Sequence, residues 1–297
     1  MGHALSALGA LPVLQPKLGI GGGQLELVHI PKNGGTSIED FGKARGLSWG
    51  IYRPKEDWPS RPLCSADFRL GAPDPGNETS GGGGGSPWHV PPRTWKERGG
   101  AQPYAGAETF CVARNPYTRI VSEFLYDQKK ERATPGPPCG EAPLNAWVHD
   151  VLNKSALLQL SKWPYDRPLP SAAGAWDCHL LPSWVYTVDC DHVLRFETLS
   201  EEFGALMVAN GLAANVSSVE LPVSNIASCT MLATSLDERS RELVRAVYWR
   251  DFKRFNYSTD VPERALGFLD EAEVLRIDRQ LASERQAEGV QKVARPR

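Results

Sequence analysis

The stretch with the densest capacity for chemistry is His29-Ile30-Pro31-Lys32-Asn33-Gly34-Gly35-Thr36-Ser37. Glycine lets the backbone approach a ligand closely. The amide groups of Gly34, Gly35 and Thr36 can therefore converge on an anion, helped by the positive end of a helix that starts there. Thr36 and Ser37 add hydroxyl donors, and Lys32 supplies a compact, mobile charge able to follow a leaving oxygen. This is not the G-x-x-x-x-G-K-[ST] phosphate loop, because no lysine precedes Thr36 and the loop is shorter. A bare G-G-T-S would read as a glycine turn with an ordinary cap. A preceding apolar strand, the Pro-Lys pair and the paired hydroxyls together read as an anion cradle.

A second cradle is written in Arg114-Asn115-Pro116-Tyr117-Thr118-Arg119-Ile120-Val121-Ser122. The guanidinium of Arg114 can donate two parallel hydrogen bonds to one phosphate. Asn115 stands as an N-cap and Pro116 at the favoured first helical position. Thr118, Arg119 and Ser122 fall on one stripe by three- and four-residue spacing, opposite a face built from Ile120, Val121, Phe124 and Leu125. The spacing predicts a surface stripe.

Elements must hold these cradles. Leu25, Leu27, Val28 and Ile30 form a short apolar run expected to be a buried strand ended by Pro31. Thr36 and Glu39 have capping-box spacing for the next helix, with Ile38 and Phe41 on one face. Thr109 to Ala113 is the next strand, and a helix follows Asn115. A further helix is expected over 144–160, a strand over 192–196 and a helix from about Ser200. Ser235 and Glu238 form a second capping-box spacing ahead of Leu243, Val244, Val247 and Phe252. Strands alternating with helices predict an α/β fold around a mainly parallel sheet. The organisation expected is a flexible leader over 1–23, one domain over 24–257 with a Gly/Pro-rich surface insertion at 71–87, and a charged tail over 258–297, solvated helix or partly disordered.

Composition narrows the function classes. A formal net charge of -2 with 23% charged residues argues against a nucleic-acid-binding surface, so any anion site is local. Six cysteines without a C-x-x-C pair speak against a zinc site of that type and against a disulfide scaffold, and no metal is expected. No run approaches the roughly 20 apolar residues that span a bilayer. The start, MGHALSALGALPVLQ, fits the myristoylation pattern at Gly2 with Ser6, but a disordered leader or a shortened N-terminus is the reading preferred over lipidation. Sequons at Asn77, Asn153, Asn215 and Asn256 would accept glycans in a secretory lumen.

From Leu25 to about Tyr257 the sequence resembles the PAPS-dependent carbohydrate sulfotransferases (PAPS is 3'-phosphoadenosine 5'-phosphosulfate), in particular the branch holding the heparan sulfate 2-O-sulfotransferases. The resemblance rests on the two cradles in their order, with weaker likeness through Cys190-Asp191-His192-Val193-Leu194-Arg195-Phe196-Glu197 and Tyr248-Trp249-Arg250-Asp251-Phe252. It implies a single P-loop-like sulfotransferase domain. Lys32 would contact the oxygen bridging sulfur and phosphate, and Asn33, Gly34, Gly35, Thr36 and Ser37 would surround the 5'-phosphate. Arg114 and Ser122 would hold the 3'-phosphate. PAPS would be the co-substrate, a carbohydrate hydroxyl the acceptor, and the compartment the Golgi, with membrane association through a tether.

The resemblance also places a base at His89, in Trp88-His89-Val90-Pro91-Pro92, the alternative being a plain loop histidine. His29 is expected to pack or to support the loop. His179, in Asp177-Cys178-His179-Leu180-Leu181-Pro182, falls near the family's acceptor cleft, and other Asp and Glu residues near the motifs are further candidates for the base. Arg195 and Glu197 are expected to support the core, Cys111 to be a buried free thiol, and Cys178 or Cys190 to enter a disulfide. Two other functions share these residues. A phosphotransferase or nucleotide hydrolase would need Mg2+ and an acidic ligand set, and a non-catalytic glycan-binding relative would keep the fold without the base.

Overall fold

Three short apolar runs pair into one parallel sheet, ordered β1 (Leu25–Leu27), β2 (Glu108–Ala113), β3 (His192–Arg195). Leu27 sits opposite Phe110 on one side of β2, and Phe110 opposite His192 on the other. The structure, a computed structural model, describes residues 25–54, 57–58, 86–97, 102–130, 139–153, 176–222, 224 and 231–262. The leader over 1–23 lies outside the described residues, as does the insertion apart from Ser86 and Pro87. Of the expected tail only residues 258–262 are described.

Parallel strands are covered on both faces, and alternate residues of β2 divide accordingly. Phe110 and Val112 join Leu25, Leu27, Phe41, Trp49 and Phe203 in one apolar cluster. This cluster lies under α1 (Gly35–Lys43) and a helix formed by Leu199–Ala209. Cys111 joins Ile30, Tyr117, Phe124, Val148, Trp184 and Val244 in the other. The chain is thus an α/β structure with helices on both sides of the sheet. In chain order the remaining helices are α2 (Pro92–Glu97), α3 (Pro116–Lys130), α4 (Glu141–Leu152), α5 (Trp184–Thr187), α6 (the Leu199–Ala209 helix) and α7 (Glu238–Arg254).

Several local expectations change. The strand pairing of β1 ends at Leu27, although the amide of Val28 still donates to the Phe110 carbonyl. The capping box at Thr36 and Glu39 does not form. Gly34 is the N-cap, in the left-handed region at φ 86°, and Glu39 turns into the core instead. At the other end of the chain Asp237, not Ser235, caps α7 by accepting from the Ser240 amide at 2.7 Å. The carboxylate two residues later wins because it is a stronger acceptor facing the helix dipole. Helix α4 begins at Glu141, ahead of Leu144, because Glu141 and Pro143 suit a first turn. It ends at Leu152 with Asn153 as its C-cap, short of the expected 160, and residues 154–160 lie outside the described residues.

Cys111 is not a free thiol. It is joined to Cys190 across 79 residues of sequence, tying β2 to the segment that enters β3. Cys139 and Cys178 are disulfide-bonded as well. Burial in an apolar strand suggests an inert thiol when read alone, but the segment leading into the neighbouring parallel strand brings Cys190 within bonding reach. No helix among the described residues is long and apolar enough to cross a membrane.

Candidate functional site

The ends of β1 and β2 lie side by side, and both expected cradles grow from these carboxyl ends, where ligands of open parallel sheets bind. In the first, Lys32 adopts φ 66° and Gly34 φ 86°, so the chain reverses twice before α1. Gly34 is required here both for its left-handed backbone and for space, since a Cβ would come within 3.1 Å of the Phe196 ring. At Gly35 a Cβ would come within 2.7 Å of the His29 ring. The first amides of α1 have no carbonyl one turn earlier in the helix to bond, the feature that makes a helix start receptive to anions.

Asn33 turns its side-chain amide toward β2 and Ser183. It is buried, and its Nδ2 donates to the Val112 carbonyl at 2.6 Å and to Ser183 Oγ at 3.2 Å. It rivets the loop to β2. Ser37 is buried too, while Thr36 is half-buried at the start of the helix.

In the second cradle, Arg114 Nη1 donates to the backbone carbonyl of Lys32 at 2.8 Å and its Nε donates to Thr118 Oγ1 at 3.0 Å. Its guanidinium stacks 4.0 Å from the Phe196 ring. Burial brings its pKa down to about 10, Glu197 opposing, so it stays cationic at neutral pH. The two cradles are therefore in direct contact. Asn115 caps α3 as expected, accepting from the Tyr117 amide at 2.9 Å, and its own amide donates to Glu197 at 2.8 Å. Glu197 also accepts from Tyr257 Oη at 2.8 Å, the core-supporting role expected of it, whereas Arg195 is exposed.

The polar stripe on α3 is corrected. Ser122 is half-buried, but Thr118 and Arg119 are buried, because α3 is covered on this side by the loops that carry the site. Arg119 donates to the carbonyls of Pro31 (3.1 Å), His179 (2.9 Å) and Leu181 (2.7 Å). It clamps the Lys32 loop to the His179 segment.

That clamp assembles a group of histidines. His89, in a single 3-10 turn over Pro87–His89, lies with its ring 5.0 Å from that of His29 and 4.8 Å from that of His179. Each ring meets a carboxyl group through Nδ1: His29 with Glu39 at 2.7 Å, His89 with Asp177 at 2.9 Å, His179 with Glu123 at 2.7 Å. The Tyr126 ring stacks on His179 at 5.3 Å, and Lys32 Nζ lies 4.1 Å from the centre of the Tyr126 ring. Lys32, His179 and His89 thus stand in one contiguous group.

Charges within it are set by burial and partners. Burial lowers the His89 pKa to about 3, against the pull of Asp177, so the ring is neutral at physiological pH. Burial alone would raise Asp177, but hydrogen bonds from His89 and from Ser86 (N at 2.6 Å, Oγ at 2.8 Å) outweigh it and bring it to about 2. An ionised Asp177 fixes the proton of His89 on Nδ1 and leaves Nε2 as a proton acceptor. Burial likewise pushes Glu123 up, but His179, Lys32 and Arg119 together hold it below its usual value. Nε2 of His179 is buried without a hydrogen-bond partner. His89, Asp177 and His179 offer ligand atoms close enough together to hold a metal ion.

Asp177, Glu123 and Tyr126 carry no assigned role in the sequence, and Glu39 reads there only as half of a capping box. Asp177 was within reach, two residues before His179, and Glu123 stands four after Arg119 on the same helix. Nothing local marks Glu39 as a partner of His29 other than its place on the first helix. No protein-family model, curated protein or solved structure matches the chain.

Proposed function

We propose that this chain is a PAPS-dependent sulfotransferase, built on a P-loop-like α/β domain, that moves a sulfuryl group to a carbohydrate hydroxyl. The observation that carries the reading is the junction of the two cradles. A nucleotide with phosphate groups at both 5' and 3' positions needs two anion sites side by side, and Arg114 holds the Lys32 carbonyl at 2.8 Å. Beside that junction stands a histidine whose tautomer Asp177 fixes for proton removal.

The chemistry is an in-line displacement. The acceptor oxygen bonds to sulfur while the bond from sulfur to the 5'-phosphate oxygen breaks. His89 Nε2 takes the acceptor's proton. Lys32 and the first amides of α1 stabilise the charge that grows on the departing phosphate. Arg114 and Ser122 hold the 3'-phosphate and so fix the nucleotide in line. Asn33 and Arg119 keep the Lys32 loop in register with the histidines. A disulfide from β2 to the approach of β3 suits an oxidising compartment such as a secretory lumen, in keeping with a Golgi enzyme acting on glycans.

Transfer of labelled sulfate from PAPS to a panel of polysaccharides tests the reading. Label appears on at least one acceptor with the wild type and not with Lys32→Ala. Tight donor binding without transfer to any acceptor would instead identify a glycan-binding relative.

A further inference from the structure

Around His89 the donor set is that of a metal site. His89, Asp177 and His179 are all buried, and one ligand atom from each lies within 4.8 Å of the others. Two imidazole nitrogens and one carboxylate oxygen suit zinc and related borderline ions, which take tetrahedral ligands and leave the fourth position to water.

A separate observation points to a ligand at this place. The His179 side chain is 5% exposed, its Nδ1 is fixed by Glu123 at 2.7 Å, and its Nε2 has no partner. Leaving a buried polar atom unpaired is costly, and a bound ion removes that cost. A ring held through one nitrogen by a carboxylate, with the other aimed at an ion, is also the usual support for a metal-bound histidine. Asp177 is braced in the same manner by the amide and hydroxyl of Ser86. The acids Asp177 and Glu123 favour a cation here, whereas Lys32 and Arg119, both of which act on Glu123, oppose it. Lys32 can swing away on its flexible stem.

We propose that His89, Asp177 and His179 bind one zinc-like divalent ion, and that the ion inhibits sulfuryl transfer by occupying the histidine that accepts the proton. The inhibition rests on the function proposed above; the site itself does not. Binding brings the three ligand atoms to about 2.0–2.2 Å from the ion, which side-chain rotations supply. The His89 to Asp177 contact then gives way to shared coordination.

The test is a titration of the full chain with Co2+ as a visible reporter, then displacement by Zn2+, after dialysis against a chelator. One ion per chain is expected, with the visible absorption of a four-coordinate site. His179→Ala abolishes the band, and Glu123→Gln, which nearly preserves shape, weakens affinity about 10–100-fold. Unchanged far-UV circular dichroism and cooperative thermal melting of both variants report that they fold. Absence of a band in the wild type, or an equal band in His179→Ala, would overturn the site. In the transfer assay, Zn2+ at a saturating concentration suppresses wild-type turnover; unchanged turnover would overturn the inhibition. A chain that transfers sulfate to nothing refutes the sulfotransferase reading, and the Co2+ titration still decides the site.

Discussion

Replacing Arg114 by alanine separates support of the fold from grip on a nucleotide. In the structure Arg114 donates to the Lys32 carbonyl at 2.8 Å and to Thr118 at 3.0 Å, and stacks on Phe196. Losing these contacts costs the protein about 2–4 kcal/mol of stability. The grip on the 3'-phosphate is a second effect: one charge-assisted contact is worth about 1.5–3 kcal/mol, or roughly 10- to 150-fold in affinity. Calorimetry with adenosine 3',5'-bisphosphate and with AMP, which lacks the 3'-phosphate, distinguishes the two. Relaxation of the Lys32 loop weakens both ligands alike. Loss of the 3' contact weakens only the bisphosphate, so its affinity should fall by that 10- to 150-fold beyond the fall for AMP. Arg114→Lys keeps the charge but not the fork and lies between. Equal losses for the two ligands, or none, would refute the assignment of Arg114 to the 3'-phosphate.

Further outcomes follow from the same geometry. His89→Ala lowers the transfer rate about 10²- to 10⁴-fold with donor affinity unchanged, read by single-turnover kinetics; a rate within threefold of wild type removes His89 as the base. Stability should fall on acidification, because the folded pKa of His89 is depressed by burial to about 3. Its contribution is complete above the unfolded value near 6.5 and is lost as pH falls from there toward 3, at about 1.4 kcal/mol per pH unit. Urea denaturation between pH 4 and 7 measures this slope, and His89→Gln flattens it; an unaltered slope contradicts a neutral, buried His89. Reduction of the Cys111 to Cys190 bond, or Cys190→Ser, costs about 2–4 kcal/mol, and a melting temperature indifferent to reductant would show that the tie does not hold β2 to the approach of β3.

The strand-to-helix turns were legible because their signals are local. Pro31 ends a run of apolar residues, Gly34 and Gly35 supply the turn, and Asn115-Pro116 opens α3. What joins them was not. Arg119 reads as a surface residue on helical periodicity, since arginine is seldom buried without partners, and its three carbonyl acceptors come from segments far away in sequence. Asn33 reads as a loop donor to ligand, yet it bonds the carbonyl of Val112 on another strand. The histidines find carboxyl partners 10, 88 and 56 residues away, and only folding brings these together. Cys111 failed for the same reason, its partner being carried by the segment that leads into the neighbouring strand.

The claim on which the rest depends is that the two touching cradles receive one nucleotide bearing both 5' and 3' phosphates. Calorimetric titration of the wild-type chain with adenosine 3',5'-bisphosphate, set against ATP with Mg2+, tests it most directly. One bisphosphate per chain should bind without added metal, at least about tenfold more tightly than ATP with Mg2+, the smallest gain one held phosphate provides. Preference for ATP with Mg2+, or no binding of the bisphosphate, would contradict the account.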